Sequence, residues 1–73
     1  MSYSNETFAH RLKVARVDAK MKQSDFAEAS GVDVNSIARY EMGTVTPGLD
    51  KAYALAVALG TDLDTLVEFG KAS

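Results

Sequence analysis

The side chains best suited to recognition chemistry lie close together in the middle of the chain. Asn35 and Arg39 both carry forked polar groups, which can form two parallel hydrogen bonds with a planar partner such as the edge of a nucleic-acid base. Their spacing of four residues places both on one face of an α-helix. The same residue types are also typical of an ordinary solvent-exposed helix face. The residues alone therefore leave two interpretations open, a base-contacting helix and a solvated surface.

Residue types that carry out catalysis or bind metals are scarce in this sequence. The chain contains no cysteine, which excludes a thiol nucleophile, a disulfide and a thiolate metal site. His10 has no second histidine or suitably spaced carboxylate beside it, so we interpret it as a surface or half-buried histidine. There is no glycine-rich phosphate loop. The sequence therefore predicts no enzyme, no cofactor and no metal site.

Length and charge predict one domain, spanning residues 1–73, with an uneven charge distribution. The 73 residues are 47% hydrophobic and 25% charged, as in ordinary globular proteins. The net charge of −2 does not favour a polyanionic partner, but residues 1–42 hold six basic and six acidic side chains, so the acidic excess lies in residues 43–73. A surface that binds a polyanion is therefore expected in the N-terminal part. The sequence has neither a signal-peptide pattern nor an apolar run of the ~20 residues that cross a bilayer, so we expect a cytoplasmic protein.

Periodicity predicts five helices and no strands, an all-α domain. The first helix begins after Ser4 or Asn5, and the second covers Gln23 to Ser30. The third is capped by Asp33 and stops near Gly43, the fourth closes at Gly60, and the fifth is capped by Asp62. The residues expected to face the core recur at helical spacing: Phe8, Leu12, Ala15, Ala19, Phe26, Ala27, Ile37, Tyr40, Leu49, Ala52, Leu55, Ala56, Leu59, Leu63, Leu66 and Val67.

Residues 23–40 have the pattern of two helices that meet across a short turn. Ala27 is the small residue that a crossing helix needs, and Gly31 supplies a residue that tolerates positive φ. Apolar residues of both segments face a common core. The pattern favours a helix-turn-helix, while a plain αα-hairpin inside a helical bundle is the alternative.

Several short stretches together carry a family resemblance. They are Arg11–Lys13 with Ala15–Arg16, Gln23–Ala27, Gly31–Val32, Ser36–Glu41, Gly43, Pro47 and Ala56–Gly60. From Arg11 to Val67 the sequence resembles the phage-repressor and Cro-like family of helix-turn-helix domains, also called XRE or lambda-repressor-like. The resemblance implies a compact five-helix domain in which helices 2 and 3 form the helix-turn-helix and helix 3 enters the major groove of duplex DNA.

The resemblance also implies roles for individual residues. By position, the base-contacting residues are Val34, Asn35 and Ser36, followed one turn later by Arg39. The amide of Gln23, at the start of helix 2, would hold a phosphate. The hydroxyls of Thr44 and Thr46 are further candidates for phosphate contacts. Relatives pair an arginine of helix 1 with a glutamate at the end of helix 3, here Arg16 and Glu41, as a largely buried structural ion pair.

Three departures from the family pattern concern the contacts with the DNA backbone. Met42 replaces the usual asparagine, and Lys22 replaces the serine or threonine that caps helix 2. The loop from Thr44 to Gly48 has no lysine or arginine. These departures predict a weaker electrostatic contribution to DNA binding.

The resemblance leads to a specific functional expectation. We expect a sequence-specific transcriptional regulator, a repressor of bacterial or phage origin associated with the nucleoid, that binds a two-fold operator as a homodimer. Leu66, Val67 and Phe69 are the candidate dimer contacts, although Leu66 is also a candidate core residue. The alternative is an antitoxin or adaptor in which a helix-turn-helix domain serves mainly to bind a protein partner.

Overall fold

Four α-helices make up the described part of the chain. The computed structural model describes residues 5–61, and within them the helices are α1 (Asn5–Asp18), α2 (Gln23–Ser30), α3 (Val34–Met42) and α4 (Leu49–Leu59). No strand occurs among these residues, as expected for an all-α domain. The predicted fifth helix lies outside the described residues, as do Leu66, Val67 and Phe69. None of the four helices is long and apolar enough to span a bilayer.

The core forms where three pairs of helices pack together. α1 packs against α3, and α2 packs against both α3 and α4. The buried side chains of the central cluster are Phe8, Leu12, Phe26, Val32, Ile37, Tyr40, Leu55 and Ala56. Because Ile37 and Tyr40 are both buried, the rotation of α3 about its own axis is fixed by the core.

Local chemistry explains where α2 ends and where α3 begins. α2 ends at Gly31, whose φ of 74° lies in the left-handed region and whose N–H donates to the Ala27 carbonyl over 2.9 Å. α3 begins where Asp33 Oδ2 accepts the backbone N–H groups of Asn35 at 3.0 Å and Ser36 at 3.2 Å. Residues 31–33 are therefore the turn of a helix-turn-helix unit formed by α2 and α3.

Two of the predicted core positions are wrong. Ala19 is exposed because α1 ends at Asp18, where Lys20 adopts a left-handed φ of 61°. The Lys20 N–H donates to the Val17 carbonyl at 2.9 Å and the Met21 N–H to the Arg16 carbonyl at 3.2 Å, which closes the helix one residue before the last position of its apolar periodicity. Leu49 is 71% exposed because it lies at the first position of α4, on the same stripe as the exposed Tyr53 and Val57.

Candidate nucleic-acid interface

The exposed face of α3 presents the residues that the sequence singled out. With Ile37 and Tyr40 in the core, Asn35 and Arg39 lie on the solvent side one turn apart. Val34 is 38% exposed, and Ser36 is half-buried beside the helix start. α3 therefore offers a forked amide, a guanidinium, a hydroxyl and a small apolar side chain over little more than one turn.

Arg39 gives this face its charge. α3 contains two charged residues, Arg39 and Glu41, and only Arg39 is exposed. The Glu41 side chain is 4% exposed and forms an ion pair with α1. Among residues 5–61, no side-chain hydrogen bond or ion pair engages the Arg39 guanidinium. Within α3 itself the outward face therefore carries one cation and no carboxylate, and the exposed Asp33 carboxylate caps its start.

The ion pair behind this face joins α1 to the end of α3. Arg16 Nε donates to Glu41 Oε2 over 2.6 Å, and Arg16 Nη2 donates to Glu41 Oε1 over 3.1 Å. Only 12% of the Arg16 side chain is exposed. Its remaining terminal nitrogen, Nη1, donates to the Met21 carbonyl at 2.8 Å in the turn before α2. The pair implied by the resemblance is thus present, and it also anchors the α1–α2 connection.

A contact that sequence reasoning missed joins α2 to the same carboxylate. Gln23 Nε2 donates to Glu41 Oε1 over 3.1 Å. Gln23 is half-buried at the first position of α2, and Glu41 is next to the last residue of α3. The two residues are 18 positions apart, so no local pattern reveals the bond; it depends on how α2 and α3 cross.

The start of α2 is capped in an unusual way. Lys22 occupies the cap position without a side-chain hydrogen bond, because an ammonium group has no acceptor to offer. Instead its backbone N–H donates to Asp25 Oδ2 over 3.1 Å, the reverse half of a capping box. Asp25 therefore satisfies the N–H of the cap residue without replacing the missing side-chain acceptor, and it adds a negative charge to the first turn of α2.

Two of the three predicted phosphate-contacting residues, Gln23 and Thr44, contact the end of α3. The Thr44 N–H donates to the Arg39 carbonyl at 3.1 Å, which holds the start of the loop against α3, and Gln23 is bonded to Glu41. Thr44 is exposed and Thr46 is half-buried. Asn35 lies six residues before Glu41, about 9 Å away along the axis of α3. The structure thus places Val34, Asn35 and Ser36 in the first turn of α3, and Gln23 and Thr44 at its end.

Two other sequence expectations concern single positions. His10 is exposed on α1, as its surface interpretation requires. Met42, at the position where relatives have asparagine, is 74% exposed and brings an apolar side chain to the end of α3.

Comparisons with known proteins agree with this architecture. Residues 12–66 match the family model described as helix-turn-helix, HTH_3. The chain is 33% identical over 63 residues to the uncharacterized HTH-type transcriptional regulator y4dL of Sinorhizobium fredii, which covers 86% of this chain and 32% of that protein.

Two solved structures have the same fold. An HTH_3 family transcriptional regulator from Vibrio cholerae superposes with a TM-score of 0.82 at 19% identity, over 85% of this chain and 35% of that one. The apo form of HppE superposes with a TM-score of 0.78 at 28% identity, over 88% of this chain and 36% of that one. The chain thus spans about a third of the length of each of these proteins.

The family match covers α2, α3 and the turn between them, where the exposed polar face of α3 and the buried ion pair are found. The chain therefore belongs to the HTH_3, or XRE/Cro-type, helix-turn-helix family.

Proposed function

We propose that this domain binds duplex DNA sequence-selectively, with α3 in the major groove, and represses transcription as a homodimer on a two-fold operator. The observation that carries the proposal is the exposed face of α3, where Arg39 is the one exposed charge. A single guanidinium among small polar groups suits the donor and acceptor pattern of the major groove.

The contacts assigned to α3 follow from side-chain chemistry. Arg39 can donate two hydrogen bonds to O6 and N7 of guanine, and Asn35 can pair with N6 and N7 of adenine. Val34 suits a thymine methyl group, and Ser36 can donate or accept at either kind of base pair. These four residues extend over the first six positions of α3, as in helices that enter the groove by their N-terminal turns.

The contacts assigned to the DNA backbone are mostly neutral. Gln23, Thr44 and Thr46 offer N–H and O–H donors, and none of them carries charge. Such contacts fix the register of the protein on the duplex without adding much to the salt-dependent part of the affinity. Selectivity in this domain then depends on base contacts more than on general attraction to phosphate.

Dimerisation is proposed because a single recognition helix contacts only a short stretch of DNA. One recognition helix contacts too few base pairs for useful selectivity, and a two-fold operator matches a two-fold protein. We assign the contact between protomers to Leu66, Val67 and Phe69, in the segment that follows the described residues. In this proposal, residues 1–73 act as one unit, without catalytic function.

The alternative is an antitoxin or adaptor in which the main partner is a protein. The observation that favours it is the apolar stripe on α4, where Leu49, Tyr53 and Val57 are 71%, 62% and 58% exposed. Large exposed apolar side chains in a row are typical of protein contact surfaces. The two functions are compatible, because different faces of the domain carry them.

Selection of duplexes from a random pool by the purified protein tests the proposal. Enrichment of an inverted repeat would demonstrate DNA binding, two-fold symmetry and the half-site together. If no duplex is enriched above background, the proposal is wrong and the result favours the antitoxin or adaptor function.

A further inference from the structure

We propose that Glu41 is a positioning residue for DNA binding, which orients the Gln23 amide so that one of its N–H groups faces a backbone phosphate. This inference rests on the proposed function, because it concerns how the DNA contact of Gln23 is made. It gives the buried ion pair a role in recognition in addition to its role in stability.

The bond between the two side chains determines which way the amide is turned. A carboxylate only accepts hydrogen bonds, so the Gln23 amide must present its nitrogen and not its oxygen to Glu41 Oε1, at 3.1 Å. The NH₂ group has two hydrogens, and Glu41 takes one of them. Gln23 is half-buried, so the other hydrogen can still donate to a group outside the protein. Without Glu41 the amide would be free to rotate and to present its oxygen, which a phosphate repels.

Glu41 is itself held firmly enough to act as this support. Two hydrogen bonds from Arg16 fix the carboxylate, and its side chain is 4% exposed. The Arg16 guanidinium also neutralises the carboxylate, which would otherwise place an uncompensated negative charge close to the DNA backbone. A glutamine side chain loses substantial rotamer entropy when it is ordered, and here that cost falls on folding instead of on binding.

The position of Gln23 suits an anion. It is the first residue of α2, and the first bond of that helix runs from the Phe26 N–H to the Lys22 carbonyl at 3.0 Å, so the N–H groups of residues 23–25 have no acceptor within the helix. These N–H groups and the positive end of the helix dipole favour a negatively charged group beside Gln23, and the Asp25 carboxylate in the same turn offsets part of this attraction. The oriented amide adds a side-chain donor at the same place.

Removing the support without losing the fold separates the two roles of Glu41. In the variant Arg16→Met/Glu41→Leu, apolar side chains of similar size fill the buried site, and Gln23 has no carboxylate to bind. The probe is the selected duplex in which one phosphate at a time is replaced by a neutral methylphosphonate. We expect the wild-type protein to lose about tenfold in affinity at one phosphate per half-site, as for a hydrogen bond to a charged group.

In the Gln23→Ala variant, replacing the same phosphate by methylphosphonate should no longer lower the affinity. The same is expected of the folded double variant. Adding Gln23→Ala to the double variant should then change little. The matched control is Glu28→Ala, which removes an exposed acid of α2 and should keep the full wild-type pattern. A double variant that keeps the full methylphosphonate effect would overturn the positioning role of Glu41.

A second measurement on the wild-type domain covers the case in which the double variant does not fold. Nitrogen-15 spectra resolve the two side-chain amide protons of Gln23, and titration with the duplex should shift one of them strongly while the proton bound to Glu41 moves little. If the duplex binds and neither proton shifts, the inference is wrong but the proposed function stands. If no duplex binds, both are wrong.

Discussion

Replacing Glu41 by alanine is the change that the structure predicts to be most damaging to the fold. It removes the acceptor of three hydrogen bonds, two from Arg16 and one from Gln23. The guanidinium remains in a site where 12% of its side chain is exposed, without its carboxylate. Breaking a buried ion pair in this way typically costs about 3–5 kcal/mol. We expect about 3 kcal/mol here, because Arg16 keeps its bond to the Met21 carbonyl and Gln23 can turn towards water.

This loss is large for a domain of this size. At about 0.05–0.15 kcal/mol per residue, a chain of 73 residues has a free energy of unfolding of about 4–11 kcal/mol. Each kcal/mol corresponds to about 4–8 °C in Tm for a small domain, so Glu41→Ala should lower Tm by about 12–24 °C. Thermal melts followed by circular dichroism, together with urea unfolding, measure both quantities. Glu28→Ala is the control, an exposed acid whose removal should change stability by no more than about 0.5 kcal/mol.

The double-mutant cycle of Arg16→Met and Glu41→Leu distinguishes a coupled pair from two independent contributions. Each single variant leaves one largely buried charge without its charged partner, whereas the double variant replaces both residues by apolar ones and should recover much of the loss. If the two single effects simply add, Arg16 and Glu41 are not energetically coupled, and the argument from their geometry is refuted.

Three further predictions concern binding, assembly and the backbone. Because Gln23, Thr44 and Thr46 carry no charge and Arg39 is assigned to a base, the slope of log K against log salt should be shallow, no steeper than about −2 per domain; anisotropy titrations that give −6 or steeper would contradict this. Phe69→Asp should shift sedimentation towards monomer and weaken operator binding without unfolding; a loss of dimer with Tyr53→Asp alone would place the contact on α4. Lys20→Gly should raise Tm, because the left-handed φ of 61° strains the lysine backbone by about 1 kcal/mol and glycine adopts it without strain; an unchanged Tm would show that this strain is negligible.

Local chemistry allowed the helix-turn-helix unit to be predicted from the sequence. Gly31 and Asp33 act on their immediate neighbours, one through its tolerance of positive φ and the other through its carboxylate, so their effects can be recognised from residue type and position. The predicted bounds of α2 are confirmed at Gln23 and Ser30. The inward-facing positions of α3 were also predictable, because Ile37 and Tyr40 are three residues apart.

Other features were not accessible from local patterns. Periodicity continued α1 to Ala19, since nothing in a lysine at position 20 indicates a left-handed backbone. Leu49 was expected in the core because its spacing to Ala52 fits a helix face, yet the first residue of α4 lies at the edge of the packed region. The bond from Gln23 to Glu41 depends on the crossing of two helices, and the resemblance identified both residues without relating them.

The central claim, that α3 reads base sequence, is tested most directly at Arg39. Wild type, Arg39→Ala and Arg39→Lys are titrated with every single-base change in the selected half-site. Arg39→Ala should lose about 1–3 kcal/mol on the preferred site and relax the preference at one base pair, with an unchanged melting temperature because the side chain is exposed. Arg39→Lys should regain some affinity but less of the preference, because an ammonium lacks the planar fork. If Arg39→Ala instead weakens binding to all sequences equally, Arg39 contacts phosphate and the claim that it reads a base is contradicted.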